Sequence, residues 1–145
     1  MPIINTGLLS QAEIDATVRV ALNEDIGSGD LTASLISDKQ TSAKLICRDA
    51  AVISGRPWFE RCFHLLDDSV SINWMQEEGS QVRGNDIICH IHGPASVLLT
   101  AERTALNFLQ TLSAVSTVTR RYVDAVKGTG CRILDTRKTL PGLRK

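Results

Sequence analysis

No stretch of the chain approaches the ~20 consecutive apolar residues that a membrane-spanning helix needs, so no bilayer span is expected. Met1-Pro2-Ile3-Ile4-Asn5 lacks the basic start and apolar run of a secretory signal, which makes the cytoplasm the expected location. Cys47, Cys62, Cys89 and Cys131 form no close pair and no Cys-x-x-Cys. Neither a zinc site nor a disulfide framework is therefore expected; they read as reduced thiols of the small, buried kind. Aromatic residues are scarce at 4%, and Tyr122 is the only one in residues 119–145, where the cations gather. A nucleic-acid-binding tail would interleave stacking groups among its charges, and this one does not. Internal repeats and low-complexity tracts are absent as well.

What remains is an ordinary globular composition, 43% hydrophobic and 22% charged over 145 residues. That length suits one domain, or a small domain with a piece of another. The formal net charge of zero hides an asymmetry: residues 1–118 hold 8 Lys/Arg against 14 Asp/Glu, and residues 119–145 hold 8 against 2. A cationic block of this kind attracts phosphate, carboxylate or nucleic acid, and the charge alone does not choose among them.

Ser10 and Glu13 have capping-box spacing, and Ile14, Val18, Ala21 and Leu22 follow at helical intervals, predicting a helix from Ser10 to Asn23 or Glu24 that Gly27 and Gly29 stop. Residues 43–48 alternate as a strand. Arg56-Pro57 opens a second helix whose Phe59, Phe63 and Leu66 form a stripe, closed by Asp67-Asp68. Strands are predicted over 69–76 and 86–92, with turns at Glu77-Glu78-Gly79 and Gly84-Asn85 between them. From Ala95 to about Lys127 the pattern is helical, with Leu98, Ala101, Ala105, Leu109 and Leu112 in one arc; its length and the Ser113–Thr117 patch predict two consecutive helices. Residues 131–134 read as a short strand, followed by a basic loop with a Leu140-Pro141-Gly142 turn. The class is α+β. A last helix, one strand and a loop cannot bury their own apolar faces, so a complete first domain plus the opening of a second is expected.

Four constellations carry possible chemistry. The segment from Asp135 to Lys145 holds Arg137, Lys138, Arg144 and Lys145 against one carboxylate, directly after a predicted strand, where α/β folds place their sites. Arg137 offers a planar fork for a carboxylate or phosphate, Lys138 a compact charge on a mobile stem, and Thr136 a hydroxyl. A solvated basic loop accounts for the same residues. Arg103 lies off the leucine arc and shares a face with Asn107 and Gln110, flanked by Thr100, Thr104 and Thr111. That surface suits a ligand or polar interface, or else an ordinary wet face with Arg103 paired to a carboxylate. Glu24 to Thr32 gathers three carboxylates around two glycines; the spacing does not fit an EF-hand, and a helix stop with an N-cap at Ser28 or Asp30 explains it. His90 and His92 alternate on one strand face with no third metal ligand, opposite the apolar face of Ile87, Cys89 and Ile91. His64 on the second helix has the same unremarkable reading.

Taken in order, Glu24-Asp25-Ile26-Gly27-Ser28-Gly29-Asp30-Leu31-Thr32, then Glu102-Arg103-Thr104-Ala105-Leu106-Asn107-Phe108-Leu109-Gln110, then Asp135-Thr136-Arg137-Lys138-Thr139-Leu140-Pro141-Gly142-Leu143-Arg144 resemble the quinolinate phosphoribosyltransferase family. The resemblance runs across the whole chain and implies a fragment, since family members are about twice as long. It implies an open-faced α/β sandwich with a mixed or antiparallel sheet over residues 1–112, then the first helix and strand of a (β/α) barrel over 113–145. The implied reaction joins quinolinate to phosphoribosyl pyrophosphate, releasing pyrophosphate and carbon dioxide and forming nicotinate mononucleotide for NAD synthesis. Both substrates are polyanions, which a dense Arg/Lys cradle suits.

By the same resemblance, Arg137 grips a quinolinate carboxylate, Lys138 faces the phosphoribosyl donor, Thr136 lines the site, and Arg103 reaches the site of the neighbouring subunit in a homodimer. Magnesium is implied, with ligands beyond Lys145, as are further catalytic residues there, so residues 1–145 by themselves are expected to be inactive. Two other readings stand beside this one. A related phosphoribosyltransferase could act on another aromatic acid. Residues 78–88 resemble the hairpin of biotinyl and lipoyl carrier domains, but no lysine lies between Lys44 and Lys127 to carry the prosthetic group.

Overall fold

The computed structural model describes residues 9–27, 39–136 and Lys138. Among the described residues, three helices and five strands follow in the order α1 (Gln11–Ile26), β1 (Gln40–Ile46), β2 (Ala51–Val52), α2 (Arg56–His64), β3 (Ser71–Trp74), β4 (Gln81–Val82), β5 (Ile87–Pro94) and α3 (Ala95–Ala125). Helix α1 begins at the predicted capping box: the Glu13 backbone N–H donates to Ser10 Oγ at 3.3 Å, and the Ser10 N–H donates to Glu13 Oε2 at 2.9 Å. It ends at Gly27, whose φ of 55° is open to a residue without a Cβ. The reading of Ser28 or Asp30 as a cap lies outside the described residues.

The larger sheet has the antiparallel order β1-β5-β3, with β5 in the middle. Its register stacks Ala43, Ile91 and Ile72 in one rung and Leu45, Cys89 and Trp74 in the next. Ser42, His92 and Ser71, then Lys44, His90 and Asn73, form the rungs between. Period-2 alternation therefore sorts the sheet into an apolar face toward the helices and a polar face toward water. His90 and His92 sit on that exposed side, where His92 Nδ1 lies 3.0 Å from Ser42 Oγ. An open-faced α+β sandwich results. The two-residue strands β2 and β4 pair with each other in a small separate ladder, too short for any periodicity to announce.

The core lies between the sheet and the helices. Phe59 and Phe63 of α2 pack at 5.2 Å between ring centroids, and Phe59 meets Trp74 edge-on at 5.3 Å. Ala101 and Ala105 are fully buried, and their small side chains let α2 close against α3. Gly55 lies at a close approach to α3: its φ is 103°, and a Cβ there would lie 2.8 Å from Leu112 Cδ1. The Arg61 guanidinium clasps Asp15 through Nε at 2.7 Å and Nη2 at 3.0 Å, fastening α1 to α2.

Two expectations about the C-terminal part are corrected. Helix α3 runs unbroken through residues 113–117. The small polar residues read as a break instead form a docking strip. Ser113 Oγ accepts from the Ser54 N–H at 3.0 Å and donates to the Ser54 carbonyl at 3.1 Å, while Thr117 Oγ1 accepts from the Val52 N–H at 2.9 Å and donates to the Ser113 carbonyl at 2.6 Å. These bonds satisfy the backbone between β2 and α2, so the hydroxyls serve a neighbour rather than breaking their own helix. Residues 131–136 form no strand. A strand needs a partner for its ladder, and Leu134 is 78% exposed with none among the described residues. Leu66, placed in the second helix's apolar stripe, also falls beyond α2 and is 37% exposed.

The cysteines are free, as read, but only Cys62 and Cys89 are buried; Cys47 is half-buried and Cys131 is exposed. Burial pushes the Cys62 and Cys89 thiols up to about 12, so both stay protonated and inert at neutral pH. His64 Nε2 lies 3.1 Å from the Val70 carbonyl oxygen, a satisfied structural histidine.

Candidate functional site

Helix α3 carries Arg103 on the face turned toward α1. There it borders a cleft of about 990 Å³ whose walls include Glu24 and Asp25 of α1, Trp58 of α2, and Asn107, Phe108 and Thr111 of α3. The 3.6-residue period explains the alignment of Arg103, Asn107 and Thr111 at successive i+4 steps. Gln110, read as sharing that face, does not line the cleft. Thr104 is 3% exposed, and its Oγ1 donates to Asp25 Oδ2 at 3.2 Å.

Arg103 Nη1 donates to Asp25 Oδ1 at 2.9 Å. The arginine side chain nevertheless stays 76% exposed, against 21% for the aspartate. Pairing and availability therefore coexist: a single N–H meets the carboxylate and the rest of the fork faces solvent. Among the described residues, the charged groups of the cleft are Glu13, Glu24, Asp25 and Arg103. One guanidinium among three carboxylates is no standing site for a dianion.

The sequence gathers its densest run of cations in the 135–145 segment. The Thr136 N–H donates to Asp135 Oδ1 at 2.7 Å, and the Lys138 N–H donates to Thr136 Oγ1 at 3.4 Å; Thr136 and Lys138 are both exposed. Local side-chain-to-backbone bonds of this kind shape the turn around Thr136. Arg137, Arg144 and the Leu140-Pro141-Gly142 turn lie outside the described residues. Roughly 33 Å of helix axis separates Arg103 from the end of α3 at about 1.5 Å per residue. Thr136 and Lys138 do not line the Arg103 cleft. Among the described residues, Arg103 and Lys138 do not share a cleft in one copy.

Among the described residues no group of three or more His, Cys, Asp or Glu side chains is placed to hold a metal ion. Nor is any helix among them long and apolar enough to cross a membrane. The sequence does not announce the pairing of Asp25 with Arg103: Asp25 reads there as part of a helix stop and of a family motif, and 78 positions separate the two. A pair brought together by tertiary packing leaves no local signal.

Comparisons with known proteins agree with these observations. The family model described as the quinolinate phosphoribosyl transferase N-terminal domain matches residues 30–113, and that of the C-terminal domain matches residues 115–145. A probable carboxylating nicotinate-nucleotide pyrophosphorylase from Bacillus subtilis is 37% identical over 122 residues, covering 83% of this chain and 42% of the relative. The carboxylating nicotinate-nucleotide pyrophosphorylase of Mycobacterium leprae is 37% identical, with 94% of this chain and 51% of the relative covered. The solved nicotinate-nucleotide pyrophosphorylase of Francisella tularensis superposes with a TM-score of 0.89 at 36% identity, over 92% of this chain and 48% of that one. The chain spans about half the length of the curated relatives it matches. Its sheet order, helical layer and sequence place it in one group: the chain belongs to the quinolinate phosphoribosyl transferase family.

Proposed function

We propose that this chain serves phosphoribosyl transfer from phosphoribosyl pyrophosphate to quinolinate, with loss of carbon dioxide and pyrophosphate and formation of nicotinate mononucleotide. The observation that carries the reading is the exposed guanidinium of Arg103, held by a single bond in an otherwise acidic cleft of a chain from this family. In this reading Arg137 holds one quinolinate carboxylate with its fork, Lys138 faces the phosphoribosyl donor, and Thr136 lines the site. Arg103 enters the site of a second copy, so that one pocket draws cations from two chains of a homodimer. The cytoplasm is the proposed location.

Each group acts by charge and position. Both substrates bring negative charge, and the departing pyrophosphate gains more as its bond breaks; fixed cations stabilise that gain without having to reorganise. Magnesium supplies charge neutralisation on the donor in this reading, and no residue described here is assigned to it. We place the boundary between the sandwich and the barrel at residues 112 and 113, within α3. What supports it is the meeting of the two family models between residues 113 and 115.

The test is an assay of the protein extended through its full reading frame. Quinolinate with phosphoribosyl pyrophosphate is expected to yield nicotinate mononucleotide and carbon dioxide, and nicotinate is expected to yield nothing. Turnover of nicotinate with quinolinate inert would assign the chain to another aromatic acid.

A further inference from the structure

We propose that Asp25 is a positioning residue for Arg103, setting how well the protein holds its dicarboxylate substrate without touching that substrate. The inference rests on the phosphoribosyl-transfer reading and deepens it. Each Asp25 oxygen has one partner: Oδ2 accepts from Thr104 Oγ1 at 3.2 Å and Oδ1 accepts from Arg103 Nη1 at 2.9 Å. Those partners are neighbours on α3, one buried and one facing solvent. The carboxylate is therefore anchored on its inner side by Thr104 and restrains the guanidinium on its outer side.

Comparison with the other arginine tied to α1 shows why this is more than an ion pair. Arg61 gives Nε and Nη2 to the two oxygens of Asp15, and both side chains are 24% exposed. Its fork is closed on a structural partner. Arg103 gives one N–H, and its side chain is 76% exposed. A one-point tether removes much of the rotamer freedom an unpaired arginine would have, yet leaves the remaining donors free to meet a carboxylate in the bidentate manner. Restricting a binding group before its ligand arrives lowers the ordering cost of binding. Glu24 and Glu13 on the same cleft disfavour a dianion settling beside α1, so the tethered guanidinium works outward.

Steady-state kinetics of the full-length enzyme provide the test, with KM measured separately for quinolinate and for phosphoribosyl pyrophosphate. Asp25→Ala is expected to raise the quinolinate KM roughly three- to tenfold, leaving kcat and the donor KM within about twofold. Asp25→Asn keeps an acceptor of the same shape and is expected to give a smaller rise. In an Arg103→Ala background, Asp25→Ala is expected to change the quinolinate KM no further. Asp15→Asn, which loosens α1 through Arg61, lowers Tm and provides the comparison for a purely structural effect. An unmoved quinolinate KM in Asp25→Ala would overturn the inference. So would a rise of equal size without Arg103, or a change in both KM values that tracks Tm as in Asp15→Asn. If the wild-type protein neither binds nor turns over quinolinate, the activity reading fails and takes this inference with it. Wild-type turnover with an indifferent Asp25→Ala sinks this inference alone.

Discussion

Glu78 caps a helix to which it does not belong. Its Oε1 accepts from the backbone N–H of Gly55 at 2.8 Å, at the start of α2, and from Ser54 Oγ at 3.0 Å, while Oε2 accepts from the Arg56 N–H at 3.0 Å. Gly55 has no side chain with which to cap its own helix, so a carboxylate from the turn before β4 satisfies the open N–H groups and meets the positive end of the helix dipole. Glu78→Ala is expected to lower stability by about 1–2 kcal/mol, read as a fall in the urea midpoint with unchanged slope. A wild-type midpoint in the variant would show that water caps α2 equally well.

Gly55 is itself constrained, by its φ of 103° and by Leu112. Gly55→Ala is expected to destabilise the fold by more than about 1 kcal/mol, the reverse of the roughly 0.4–1 kcal/mol gained at a site whose backbone alanine can adopt, because its φ is positive and its Cβ meets the flank of α3. Gly55→Ala combined with Leu112→Ala removes the clash and leaves the backbone strain. Thermal melts of the three variants separate the two contributions, and a double variant no better than the sum of the singles would deny that the contact matters.

Hydrogen bonds from Arg61 and then Gln11 hold the Asp15 carboxyl below its ordinary value of 3.8. The sign follows directly. A depressed folded-state pKa contributes stability that is present above the unfolded value and lost as pH falls through the folded value. Acid titration of the native protein is therefore expected to show a loss of stability below about pH 4 that Asp15→Asn lacks. Equal pH slopes for both proteins between pH 5 and pH 2 would contradict the assignment.

Cys62 and Cys89, both buried with thiols raised to about 12, are expected to resist a thiol reagent at pH 8 until the protein unfolds. Peptide mapping after a native-state pulse should find neither residue labelled. Rapid labelling of either one, at native CD signal, would show that the core opens locally at that position.

If one site draws Arg103 from one copy and Lys138 from the other, two full-length variants that each keep only a small residual activity should complement. Arg103→Ala and Lys138→Ala subunits, unfolded together and refolded as a mixture, are expected to recover about a quarter of wild-type activity, since half the dimers are hybrids and each hybrid keeps one intact site. Activity that stays at the level of the separate variants would place both residues in the same chain's site.

Legibility of the fold tracked the range of the interactions. The capping box at Ser10 and Glu13, Pro57 in the first turn of α2 and the alternation of residues 89–92 are local patterns that the structure repeats, whereas Ile88 is buried beside Cys89 where the register shifts. Ser113 and Thr117 were misjudged because a hydroxyl in a helix looks the same in sequence whether it weakens that helix or binds a neighbouring strand. The short ladder of β2 and β4 is held by pairing across the fold, with no period of its own. Arg103 stood out by its distance from the leucine arc. Asp25 and Glu78 did not, because their significance lies in partners 78 and 23 positions away, respectively.

The continuity of α3 makes it a rigid lever. Its 31 residues span roughly 46 Å, so a tilt of about 10° at one end would sweep the other through roughly 8 Å. The first half of that rod is clamped in the sandwich by Leu98, Ala101, Ala105 and Leu109, and the second bears Val115, Val118 and Tyr122 in the open. Whatever seats against those three side chains therefore inherits its aim from packing centred about four helical turns away, and a repacked alanine in the clamp would steer the far tip.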